Sequence, residues 1–150
     1  NAKHPVLQGV ADIFGNSDVY EAAPPADATI LVRGQVLKGM TADSGPADYR
    51  KSTRAKVEQG VNDPMMPVAW VRELPRDGGQ AQRIVTTTMG AATDLQSEGL
   101  RRLVVNGVFW GLRLDVPAKA KVDVVGDFQP LMYGFGDFRK GVKPSAHAGK

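Results

Sequence analysis

The hydrophobic and polar positions of this chain follow a helical rhythm at its start, strand-like runs in its middle and a second helical rhythm after residue 97. After Pro5, Val6, Leu7, Val10, Ile13 and Phe14 recur at a spacing of three to four and predict a short helical turn or two, ended by Gly15-Asn16. "SDVYEA" at 17–22 reads as a short strand closed by Pro24-Pro25. In "ATILVRGQVL", residues 28–37, the β-branched and aliphatic run from Thr29 to Val32 is nearly continuous and predicts a strand in the sheet interior, buried on both faces. Periodicity is lost from 38 to 63, where glycine, proline and charge predict a long loop. "MPVAWVREL" at 66–74 predicts a strand with Val68, Trp70 and Arg72 on one face. "RDGG" at 76–79 is a turn signal, so "QRIVTTTM" at 82–89 is expected to return beside that strand as an antiparallel hairpin. Leu100, Leu103, Val104, Val108, Phe109 and Leu112 then form one apolar stripe, opposed by Arg101, Arg102, Asn106 and Arg113. Thr93, Asp94 and Ser97 are candidate caps for this helix, Glu98 sits near its positive end, and Pro117 marks its limit. Residues 118–150 read as an extended tail in which Phe128, Tyr133, Phe135 and Phe138 alternate with glycines as surface anchors.

Size and composition narrow the classes. The 150 residues have the length of one domain, and 42% hydrophobic content is enough for a buried core, while 17 glycines and 10 prolines make the fold rich in turns. The net charge of +3 is mild and only "YRKSTRAK" at 49–56 concentrates it, which argues against nucleic acid as a partner and reads as a solvated loop. There is no cysteine, and so no disulfide framework, thiolate nucleophile or cysteine-based zinc site. No apolar run reaches membrane-spanning length, so the expectation is a soluble protein without a membrane partner, in cytoplasm or periplasm.

The candidate chemistry gathers at 86–99, a strand-loop-helix layout that collects backbone N–H groups and hydroxyls at one place and favours anionic or oxygen-rich ligands. Thr87, Thr88, Met89, Gly90 and Thr93 are the candidate binding residues there; against them, threonine is an ordinary strand former and Gly90 an ordinary turn residue. Asp63 and Trp70 are further binding candidates, Asp63 competing with a turn role before Pro64 and Trp70 with a place in the core. Asp94 and Glu98 are four apart at a helix start, where they are either a catalytic carboxylate pair or partners of the helix dipole. His4 is a candidate proton-transfer group or a structural ring before Pro5; His147 lies in a Gly/Ala/Lys tail, and nothing pairs the two at metal spacing. The residues name no cofactor, and neither an activated thiol nor a G-x-S-x-G serine exists for nucleophilic catalysis.

Four stretches, "KHPVLQGV", "NDPMMPVAW", "RIVTTTMGAATDL" and "EGLRRLVVNGVFWGL", together with the ending "GFGDFRKGVKP", resemble the C-terminal half of ThuA-like (trehalose utilisation) domains. The resemblance spans nearly the whole chain, so that 1–150 is expected to be a single ThuA-like domain in its C-terminal portion. It implies an α/β fold, the flavodoxin-like three-layer sandwich of class I glutamine amidotransferases, with a site at the strand-end loops 87–94 and 62–67. It also implies a link to disaccharide or keto-sugar metabolism, with a small-molecule carbohydrate as partner. If the protein is an enzyme, acid/base chemistry by His4 or a carboxylate is expected rather than glutamine amidotransfer. The rival is a non-catalytic carbohydrate-binding or scaffolding module, which gains from Ala91 standing where many relatives place a histidine after the glycine. The family's N-terminal βαβ half is not represented in these residues. The expectation is therefore a longer polypeptide, or another chain or homo-oligomer partner, that completes the sheet.

Overall fold

The computed structural model describes residues 3–132 and 140–148. Tyr133, Phe135 and Phe138 lie outside the described residues. The regular elements are β1 (Thr29–Gly34), β2 (Arg50–Ser52), β3 (Glu58–Gly60), β4 (Met66–Leu74), β5 (Gln82–Thr87) and α1 (Glu98–Gly111), with short 3-10 turns at Pro5–Leu7, Asp94–Gln96 and Pro144–His147.

The principal sheet has the order β1-β4-β5, and both pairings are antiparallel. This corrects the flavodoxin-like expectation: among the described residues there is no parallel sheet. The reason is local, since the short turn after Leu74 can only fold β5 back on β4, whereas a parallel neighbour needs a crossover of a dozen or more residues. β1 is likewise an edge strand rather than the interior one; the absence of any fully buried residue along it and its two register shifts against β4 suit an edge. The interior strand is β4, whose residues from Met66 to Ala69 are all buried. No strand forms at 17–22. Within the long 38–63 segment, Asn62 substitutes for sheet structure: its side-chain amide accepts from Val36 N–H and donates to the carbonyls of Val36 and Ala47. The same segment contains the small β2-β3 ribbon.

The core lies between this sheet and α1. Ala69 and Val71 of β4 meet Leu103 and Trp110 of α1, and Val6 of the first 3-10 turn closes the end. Gly107 brings the helix close to β5, since a Cβ there would stand 3.2 Å from Val85 Cγ1. The helix is rotated relative to the expected stripe. Leu100 and Leu103 are buried, but Val104 and Val108 are exposed and Leu112 is 66% exposed, while Arg102 and Asn106 from the expected polar side are buried. Both polar groups donate where they are buried: the Asn106 NH2 to the carbonyls of Val6 and Gln8, with its Oδ1 buried and without a partner, and Arg102 to Ala120 O and to Glu98. The helix therefore turns part of its apolar surface, Val104, Val108 and Leu112, outward to solvent.

Candidate functional site

The loop after β5 is ordered by one carboxylate. Asp94, 1% exposed, begins a 3-10 turn ahead of α1 and points back into the loop. Its Oδ2 accepts from Gly90 N and Ala91 N, each at 3.2 Å, and from the Ser17 hydroxyl at 2.6 Å, while Oδ1 accepts from Asn16 N at 3.1 Å. Thr93 adds a 2.7 Å hydrogen bond from its hydroxyl to the Asn16 side chain. Residues 15–17 are thereby fastened to 90–94. The fit is close at Gly15, where a Cβ would come within 3.0 Å of Asp94 Oδ1, so that only glycine lies comfortably over the carboxylate.

Two clefts open on either side of this junction. The smaller, about 420 Å³, lies against the start of α1 and is lined by Gly9, Thr93, Gln96, Ser97, Glu98 and Arg102 among others. The larger, about 550 Å³, runs between residues 12–19 and the end of β1, with Arg33, Gln35, Met40, Val68 and Met89 in its walls. Asp12, Phe14 and Asn16 belong to both. Asp12 has a left-handed backbone, φ 50°, an uncommon conformation for a residue with a side chain. Ser97 bridges that bend by accepting from Phe14 N and donating to Asp12 O.

In comparisons with protein-family models, with curated proteins and with solved structures, nothing matches this chain.

The expected site residues divide between these clefts and other places. Met89 lines the larger cleft, and Thr93 and Glu98 the smaller. Gly90 offers its N–H to Asp94, and the Thr87 hydroxyl turns back on the Met89 backbone. Thr88 gives its N–H to Val68 O, with its hydroxyl buried and unpartnered. Trp70 is half-buried in the middle of β4, opposite Ile30 and Thr86, and lines neither cleft. Asp63 donates its N–H to Gly60 O in the turn that ends the β2-β3 ribbon. The 62–67 loop reaches the larger cleft through Arg33, whose guanidinium donates to Met65 O at 2.9 Å.

The three candidates for acid/base work do not converge. Asp94 is saturated with hydrogen bonds, whereas Glu98 is exposed and held by Arg102 at 2.6 Å. That hydrogen bond, and then the charge behind it, lowers the Glu98 carboxyl below its ordinary range. His4 stands at the other end of α1: its ring meets Trp110 edge-on at 5.2 Å between centroids, and its Nδ1 accepts from Val6 N. From Glu98 to Trp110 the helix rises about 18 Å, which separates the imidazole from the smaller cleft. Burial lowers the His4 pKa from 6.5 and the charge of Arg83 pushes it the same way, with Glu73 opposing. Arg83 itself lies over the Trp110 ring, 4.7 Å from its centroid.

The sequence reading missed Asp12, Asn16, Arg33 and Arg102 as cleft residues. Their signal was slight: a polar residue between apolar ones at Asp12, an Asn in a loop, one charge at the end of an aliphatic strand, and an arginine assigned to a solvated helix face. Among the described residues no three His, Asp or Glu side chains stand together as a metal site, and no helix is long and apolar enough to cross a membrane.

Proposed function

We propose that this chain binds a carbohydrate in the two clefts around Asp12, Phe14 and Asn16, the ligand class that its resemblance to ThuA-like domains implies. The observation that carries this reading is convergence. The four stretches behind the resemblance are far apart in the chain, yet each contributes to the cleft walls: Gly9 from the first, Val68 from the second, Met89 and Thr93 from the third, and Glu98, Gly99 and Arg102 from the fourth. The walls mix carboxylates, amides and hydroxyls with Phe14 and Met89, a combination suited to a ligand with polar edges and apolar faces. Binding rather than turnover is favoured, because Asp94 and His4 are committed to hydrogen bonds and packing that organise the fold.

The test is ligand-detected NMR with a panel of mono- and disaccharides and keto-sugars, alongside a Gln35→Trp variant that fills the larger cleft without removing a hydrogen bond. Saccharide signals that attenuate with the wild-type chain and attenuate less with Gln35→Trp are the expected result. Equal attenuation with both proteins, or none with either, overturns the reading.

A second reading concerns partners and rests on β5. Its outer edge is unpaired among the described residues, and Val104 and Val108 of α1, the helix packed on β5, are exposed. A further strand, from the same polypeptide or from another chain, would satisfy that open edge by pairing with β5.

A further inference from the structure

The larger cleft carries charges of opposite sign on opposite walls. Arg33 stands on the β1 wall, and Asp12 and Asp18 on the wall formed by residues 12–19. No ion pair joins these three to one another, although the structure pairs Lys38 with Asp48 on the loop just beyond. Arg33 is fixed by a single hydrogen bond from one terminal nitrogen to Met65 O, and makes no other side-chain hydrogen bond or ion pair among the described residues. A guanidinium has five N–H donors in one plane. The Met65 carbonyl therefore orients the group while leaving most of its donors for something else. Asp12 and Asp18 are both exposed, and ionised carboxylates are acceptors only, matched to the hydroxyl groups of a sugar.

We propose that the ligand of the larger cleft is a sugar acid, with its carboxylate on Arg33 and its hydroxyls toward Asp12, Asn16 and Asp18. This rests on the carbohydrate-binding reading above and adds the charge of the ligand. A neutral sugar leaves the Arg33 donors to water, whereas a carboxylate takes two of them in the bidentate geometry that arginine favours. The two aspartates set the orientation, because a carboxylate placed at their wall meets like charge. Arg33 is accordingly the specificity-determining residue, and a charged pair of this kind discriminates by about ten- to a hundredfold.

The experiment is calorimetric titration of the chain with D-glucuronate, D-gluconate and D-glucose at low and moderate salt, repeated with Arg33→Gln and Arg33→Lys. At least one of the two acids is expected to bind at least about tenfold tighter than glucose, with the preference falling as salt rises. Arg33→Gln is expected to bring acid and neutral sugar to equal affinity at an unchanged melting temperature, and Arg33→Lys to retain part of the preference. Glucose binding as tightly as both acids overturns the proposal and leaves the carbohydrate reading standing. So does an acid preference that survives in Arg33→Gln. Failure of all three compounds, together with silence of the saccharide panel, removes both.

Discussion

Ser17 and Asp94, 77 positions apart in the chain, are joined by a 2.6 Å hydrogen bond from the serine hydroxyl to the most heavily shared carboxylate oxygen among the described residues. The same Oδ2 also takes the N–H groups of Gly90 and Ala91, so one atom ties the entry segment to the loop after β5. Asp94→Ala removes the acceptor and leaves several partly buried donors without a partner. The expected loss of stability is about 3 kcal/mol, read from urea denaturation. Asp94→Asn keeps one acceptor oxygen and costs about half as much. A loss below about 0.5 kcal/mol for Asp94→Ala shows that the carboxylate is not the fastening.

His4 makes stability depend on pH in a window of its own. Its pKa is lowered in the folded chain from 6.5, so the folded state binds fewer protons than the unfolded state below that value. The stability it contributes is complete above about pH 6.5 and declines as pH falls through that value toward the lowered folded pKa. His4→Asn retains an acceptor for Val6 N and loses the titration. Urea midpoints between about pH 7.5 and 5.5 are expected to slope downward in the wild type and to be flatter in the variant. Equal slopes contradict the prediction. Asp27 and Glu98, whose carboxyls are lowered by Arg72 and Arg102, lose their contributions only at more acidic pH, outside this window.

Gly99 and Gly90 are expected to respond oppositely to alanine. A Cβ at Gly99 collides with the carbonyl of Ala11, where the start of α1 presses on the wall of the smaller cleft, whereas at Gly90 it meets nothing within 4 Å. Gly99→Ala should destabilise by about 1–3 kcal/mol and shift the wall of the smaller cleft. Gly90→Ala should leave the melting temperature within about 2 °C of the wild type. Thermal unfolding of the two variants side by side checks both.

The local pattern carried the β4-β5 hairpin and the existence of α1, because an Asp-Gly-Gly turn between apolar runs and a three-to-four spacing are properties of neighbouring residues. It did not carry the rotation of α1. Val104, Val108 and Leu112 are as apolar as Leu100 and Leu103, and the side that faces the core was decided by Gly107, which permits close approach to Val85, and by the carbonyls of Val6 and Gln8 that receive Asn106. The strand-loop-helix layout singled out 87–94, and Met89 and Thr93 of that loop do line the two clefts. The opposite walls were not legible, since Asp12, Asn16 and Arg33 are brought there by contacts such as Asn16 with Asp94 that no local spacing encodes. The parallel sheet was carried over from the family resemblance and not read from these residues; the antiparallel pairing follows the hairpin signal at 76–79 instead.

The exposed apolar side of α1 predicts behaviour in solution. Val108→Glu combined with Leu112→Lys places charge on the exposed apolar side of α1 without touching the core, since both positions are more than half exposed. The doubly substituted chain is expected to scatter less light at high concentration and to keep its melting temperature within a few degrees of the wild type. A fall in melting temperature with no change in scattering assigns those residues to the fold of the chain itself.

The wall made by Asp12, Phe14 and Asn16 belongs to both clefts, so a molecule that displaces these residues in one cleft reshapes the wall of the other. A molecule that fixes Asn16 from the α1 side sets the position of the same residue for a molecule on the β1 side. Any linkage that results is reciprocal: whatever factor the first ligand applies to the affinity of the second, the second applies to the first.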